Sequence, residues 1–316
     1  MMDGGKPENE SPEEPRVLAT ALEDQPVAEK KDVSASREEG FQKLQSVIQA
    51  VPLPACFQEE VILEYDLQRH RFLEVLHDVL QEPTSTDLAR LHETPYAQQI
   101  ILCFKRNPLN VESLGPRGNP WKKRFHACPQ RSPQIYSDFM TIYHDFVQNF
   151  VLPHLETDCV AFQNCPTFRC HLPDCGAPGR PHRDEDYRHP QSEVNFWIPL
   201  TPVFGSNGLY AESKRDAGDF RAFELSYGKL VRFYANQVWH YTVPNETDST
   251  RVSIDFRVIR EQEWTPASFS YFKLGGYYSV MRRDGLVPQA SPEMQILQDM
   301  YGCRPPECKS RNRTPS

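Results

Sequence analysis

At 316 residues and 39% hydrophobic content, the chain can form one large or two small domains around a substantial core. Its net charge of −8 is lopsided: the first 40 residues hold 11 acidic and 5 basic side chains, leaving only −2 for the rest. No basic face is implied, so nucleic acid is not an expected partner. With no apolar run of membrane-spanning length, no leader pattern and an odd count of nine cysteines, the expectation is a cytoplasmic protein without membrane association.

Residues 1–38, rich in Glu, Pro, Ser and Ala, cannot bury enough apolar surface to offset their ordering entropy, and read as a disordered acidic tail. A single domain is expected over 39–302, with a helical part at 39–160 and a strand-rich part at 161–282. Residues 303–316 read as a loose tail. Helical spacing joins Phe41, Leu44, Val47, Ile48 and Val51, and again Phe72, Leu73, Leu76, Val79 and Leu80. Pro95 to Lys105 is a weaker third helix. The clearest one opens at Ser132-Pro133 and carries Ile135, Phe139, Ile142, Tyr143, Phe146 and Phe150 before Pro153 closes it.

From residue 166 the apolar period becomes two. Strands are expected at Thr167–Leu172, Glu193–Leu200, Gly208–Glu212, Phe220–Glu224, Lys229–Tyr234 and Arg251–Ile259, separated by Gly-, Pro- and Asn-containing turns. The segment Phe269–Met281, with Gly275-Gly276 in a turn, is expected to pack back on the sheet. The pattern predicts a mixed α/β (α+β) fold: a double-stranded β-helix, or jelly roll, with the N-terminal helical region packed on it.

The chemistry concentrates in His182-Arg183-Asp184, His240 and Arg251-Val252-Ser253. Two imidazoles and one carboxylate form the ligand set of a non-haem Fe(II) site with positions left open for co-substrate and O2. On a strand, the period of two aims His182 and Asp184 at one ion, and His240 comes from a distant strand. Arg251, eleven positions on, offers a permanent fork to a carboxylate, and Ser253 a hydroxyl on the same face. That is the pattern of a 2-oxoglutarate site. Arg169 and Arg257 are rivals for the clamp, Arg257 reading more readily as a rim ion pair. Glu185 points away from His182, and Asp186 lies beyond ligand spacing. His189 reads as a loop residue near the mouth, while Asn195 and Trp197 share a face that can line the pocket. Glu212 and Lys214 are weaker candidates for substrate contact. Cys159, Cys165, Cys170 and Cys175 lack a tight Cys-x2-Cys pair and do not read as a zinc site.

The blocks Pro166–Pro173, His182–Asp184, Tyr187–His189, Glu193–Thr201 and Arg251–Arg257 resemble the StrG-type proteins of streptomycin biosynthesis, relatives of the phytanoyl-CoA dioxygenase branch of 2-oxoglutarate oxygenases. The resemblance spans roughly residues 120–280. It implies a jelly-roll core, Fe(II) held by His182, Asp184 and His240, and Arg251 holding the co-substrate. The His240 block, Gln237-Val238-Trp239-His240-Tyr241, departs from the pattern in its bulk. The function expected is oxidation of a small molecule by Fe(II), 2-oxoglutarate and O2, releasing succinate and CO2. The alternative is a metal-binding jelly roll of another kind, a cupin-like isomerase or binding module. Neither the substrate nor the oligomeric state is legible.

Overall fold

The computed structural model describes residues 52–99, 119–177 and 179–302. The expected helix at 41–51 and both expected tails lie outside them. Eleven strands form two antiparallel sheets among these residues. The larger runs β1 (Val61–Glu64), β7 (Lys229–Phe233), β4 (Val194–Pro199), β9 (Arg251–Arg260), β2 (Cys159–Gln163), β10 (Tyr278–Arg282) and β11 (Gly285–Leu286), with β3 (Thr167–His171) also paired to β9. The smaller is β6 (Arg221–Ala222), β5 (Tyr210–Ala211) and β8 (His240–Tyr241).

β9 is the spine. One edge pairs with β4, and the other pairs first with β3 and then with β2. Both of its faces are buried, but they differ in kind. Val252, Ile254, Phe256 and Val258 enter the main core, while Arg251, Ser253, Asp255 and Arg257 line the opposite face. β4 repeats the division, with Phe196 and Ile198 in the core and Asn195 and Trp197 across the sheet.

Helices cover the apolar face. These are α1 (Phe72–Leu80), α2 (Pro120–Arg131) and α3 (Pro133–Phe146). Phe125 of α2 stacks on Phe168 at 4.8 Å, and Tyr143 of α3 meets Phe256 edge-on at 5.1 Å. Loss of a ring such as Phe256 would cost roughly 3–5 kcal/mol. The regular turns of α3 end at Phe146, and the last helical residue, His154, directly follows Pro153. A π-turn at Val147–Val151 widens the backbone just before it, and helix resumes at Leu152–His154. The small sheet packs on the other face, where Ala211, Phe223 and Leu225 meet Trp197, Val231 and Phe233.

Several elements differ from the sequence expectation. α2 was not foreseen, although Asn119-Pro120 is a cap-plus-first-turn signature and Asn119 accepts a hydrogen bond from the Lys122 N–H. Its internal Pro129 and its basic residues mask the Trp121, Phe125, Cys128 stripe. β1 joins the sheet from within the otherwise helical N-terminal half. β5 and β6 are two-residue strands, shorter than expected. The C-terminal segment supplies a strand, β10, after a turn in which Gly275 takes φ +73. The helix α4 (Pro292–Tyr301) then packs Met294 and Leu297 on it. No helix among the described residues is long and apolar enough to cross a membrane.

Candidate metal centre

Between the two sheets lies a cleft of about 470 Å3, counting its open mouth, lined by His182, His240, Asn195, Trp197, Arg251 and Arg257 among others. Among the described residues, His182, Asp184 and His240 are the one group that can share a metal ion, with ligand atoms all within 4.8 Å of one another. The Asp184 Oδ1 lies 3.6 Å from His182 Nε2 and 3.7 Å from His240 Nε2.

The backbone fixes this convergence. His182 and His240 form an isolated antiparallel bridge in which each N–H donates to the other's carbonyl, at 3.1 and 3.0 Å. The Asp184 N–H donates to Ala235 O, so the third ligand is tied to the same segment. His182 and Asp184 were expected on a strand. Instead Asp184 opens a 3-10 turn, Asp184–Tyr187, which curls its carboxylate back beneath the two rings. Alternation along a strand therefore does not explain how the two residues meet.

Each ring has a defined orientation. His182 Nδ1 sits 2.7 Å from Arg180 O, and His240 Nδ1 sits 3.1 Å from Val238 O. A carbonyl can only accept, so the proton is on Nδ1 and the Nε2 lone pairs are free for a metal. Burial pushes His240 down to about 4, against the pull of Asp184, so it is neutral near pH 7.

The two oxygens of Asp184 have different surroundings. Oδ2 accepts from Asn195 Nδ2 at 2.9 Å and from Arg257 Nε at 2.8 Å. Oδ1 is buried with no hydrogen-bond partner among the described residues. Burial disfavours the charge, yet the Arg257 guanidinium outweighs it and holds the carboxyl well below the ordinary carboxylate range. An ionised, anchored carboxylate with one bare oxygen beside two bare imidazole nitrogens fits a divalent metal with mixed N and O preference.

Arg257 corrects an expectation. It is not at the rim but buried, held between Asp184, Gln163 Oε1 at 3.3 Å, Glu193 at 3.7 Å and Asp255 at 3.8 Å. Glu193 in turn takes hydrogen bonds from Tyr278 OH and pairs with His189 at 2.9 Å. His189 therefore belongs to this inner network. Parity along β9 placed Arg257 beside Arg251, but only the tertiary structure reveals its carboxylate partners.

Arg251 is fully buried and contrasts with it. Its Nη1 donates to Asn207 O at 2.8 Å, while among the described residues Nε and Nη2 have no hydrogen-bond partner, and neither does the Ser253 hydroxyl. Burial, aided by Arg169, pulls the guanidinium below its ordinary value. Arg169 and His171 lie opposite Ser253 and Arg251 in the β3–β9 register. Arg169 lines the cleft but is committed to Asp255, with Nε 2.6 Å from Oδ1. Asn195 donates directly to Asp184, and Trp197 is both cleft wall and core, 5.9 Å from Phe223. Glu212 does not reach the cleft. It accepts from the Trp239 and Gly218 N–H groups and so holds the 213–219 loop, and Lys214 is exposed on that loop. Glu185 binds Gln237 and Arg215, away from the ligands, and Asp186 caps the Arg183 N–H.

No protein-family model matches the chain. It is 38% identical over 171 residues to the streptomycin biosynthesis protein StrG of Streptomyces griseus, an overlap of 52% of this chain and 78% of StrG. Among solved structures it is similar to the non-heme monooxygenase ThoJ in its nickel complex (15% identity, 78% of this chain and 92% of that one, TM-score 0.40). Others are a 2OG-Fe(II) oxygenase family oxidoreductase from Burkholderia pseudomallei (14%, 72% and 91%, TM-score 0.35) and the alpha-ketoglutarate-dependent carbocyclase SnoK of nogalamycin biosynthesis (17%, 42% and 61%, TM-score 0.32). At TM-scores this low the overlaps carry no weight for the chemistry, which rests on the residues of the cleft.

Proposed function

This chain belongs to the StrG family, and from that premise we propose that it is an Fe(II)- and 2-oxoglutarate-dependent oxygenase acting on a small molecule. One observation carries the reading: the same cleft wall presents a bare metal-binding triad and a fully buried, half-unpaired arginine. A metal alone gives no reason for Arg251. An unpaired buried cation costs several kcal/mol, and a bound carboxylate offsets that cost. This also disfavours a cupin-like isomerase or plain metal-binding module. We read the two facing sheets as the expected double-stranded β-helix, with the cleft at its open end.

His182, Asp184 and His240 would hold Fe(II), the last two fixed by Val238 O, Asn195 and Arg257. Arg251 Nη2 and Nε and the Ser253 hydroxyl would hold the distal carboxylate of 2-oxoglutarate. Trp197, Leu209 and Phe233 form the apolar wall that keeps water from the bound groups. Bound iron, co-substrate and O2 supply the oxidising power, with succinate and CO2 released; the protein supplies orientation and exclusion. Hydroxylation, desaturation and ring closure are all within that chemistry. Asp184 occupies the position that a halogenase of this kind would leave for chloride.

The test is an anaerobic titration. One Fe(II) per chain should bind, and 2-oxoglutarate should then raise a metal-to-ligand charge-transfer band. His182→Ala and His240→Ala should each abolish tight iron binding. Unaltered iron content in both variants, or no 2-oxoglutarate binding by the iron-loaded protein, overturns the reading.

A further inference from the structure

A second pocket, of about 530 Å3 counting its open mouth, lies against β3 and is lined by Asn119, Lys122, Arg169, His171 and Cys175 among others. It shares Arg169 with the metal cleft and is otherwise separate from it. We propose that it receives the anionic group, carboxylate or phosphate, of a hydroxylated organic molecule, which is the compound the enzyme oxidises.

Four features converge on that ligand. Lys122 is half-buried, and no described residue forms a hydrogen bond or ion pair with its ammonium. Arg169 is the second cation, bound through Nε and Nη2 to Asp255. The first turn of α2 opens on the cavity with Asn119 as its cap, adding the positive end of a twelve-residue helix. The described lining of the cavity therefore carries two cations and no carboxylate. Lastly, His171 lines the cavity, is 2% exposed, and has no hydrogen-bond partner for Nδ1 among the described residues, while Nε2 faces Cys175 O at 3.3 Å. With its proton on Nε2, the ring offers a lone pair at Nδ1, which calls for a hydroxyl or amine donor.

Anchoring the charged end there, across Arg169 from the iron ligands, leaves the uncharged remainder of the molecule to reach the metal cleft. The proposal rests on the oxygenase reading for the fate of the ligand, but anion binding itself can be measured without turnover.

The probes are glycerol 3-phosphate, glycerate and neutral glycerol, titrated calorimetrically into the full-length protein, both metal-free and loaded anaerobically with Fe(II) and 2-oxoglutarate. One of the two anions should bind once per chain in both forms, and glycerol should not; which anion binds identifies the group. Lys122→Met should weaken that binding at least tenfold and Lys122→Arg should restore most of it, while 2-oxoglutarate affinity stays within twofold. Failure of both anions to bind more tightly than glycerol overturns the proposal. So does competition between the anion and 2-oxoglutarate, joined to weaker 2-oxoglutarate binding in Lys122→Met, because the cavity would then belong to the co-substrate. Anion binding that depends on Lys122 in a protein that never binds 2-oxoglutarate would uphold the site and overturn the oxygenase reading instead.

Discussion

Arg257 and Arg251 lie on one strand and one face, six residues apart, and both are buried. Arg257 is surrounded by Asp184, Glu193, Asp255 and Gln163, so its charge is answered within the protein. Among the described residues Arg251 has one carbonyl acceptor and the Trp197 ring at 5.9 Å, and no carboxylate at ion-pair distance. Burial cannot tell a structural arginine from a binding one. The partner count can, because a guanidinium that folding leaves unpaired is matched by something that arrives later.

Breaking the closed end should have the largest effect. Arg257→Met strips Asp184 of its cation and leaves a buried carboxylate, at a cost of about 3–5 kcal/mol in the metal-free protein. Urea unfolding measures it, and a loss below about 1 kcal/mol would mean that the network is not structural. Arg251→Ala should do the reverse. Stability without ligand should hold or rise, while 2-oxoglutarate affinity falls at least about tenfold, in line with roughly 2–5 kcal/mol for a lost desolvated partner. Arg251→Lys should recover only part, since an ammonium lacks the fork. Equal affinities for wild type and Arg251→Ala would place the clamp elsewhere.

Acid should expose the neutral histidines next. Burial pushes His240 down to about 4 and His171 to about 3. In the unfolded chain each takes up a proton near pH 6.5, so between that pH and the folded values the unfolded state binds more protons. Metal-free stability should therefore fall as pH drops below about 6.5, by about 2 kcal/mol per histidine at pH 5. His171→Asn should flatten part of the slope; an unchanged slope would assign the protons to other groups. The smallest effect is expected at Ser253. Ser253→Ala should weaken 2-oxoglutarate by about 1.5 kcal/mol, one hydrogen bond to a charged group, and a loss matching that of Arg251→Ala would make the hydroxyl an equal partner.

Much of this was legible in the sequence because β9 alternates so regularly. Arg251, Ser253, Asp255 and Arg257 fall on one parity and Val252, Ile254, Phe256 and Val258 on the other. The strands from 167 to 259 follow from the same period. β2 was not legible, since Cys159–Gln163 is buried throughout and shows no alternation. The triad residues are those the sequence nominated, yet the way they meet was hidden: a turn at Asp184 and a two-residue bridge leave no periodic trace. Lys122 left no signal of its own either, because its significance depends on where α2 docks on β3.

The paired backbone hydrogen bonds between His182 and His240 bear on how the proposed iron would be taken up. The spacing of the two imidazoles is set by peptide groups, before any ion arrives. Ordering entropy for the site is thus spent during folding, and little remains to be lost on coordination. Chelation should accordingly strip the ion and leave a cooperatively folded chain, unlike small zinc modules that collapse without theirs. Loading becomes a bimolecular encounter with a finished receptor, and its rate should be set by ion dehydration and access through the mouth.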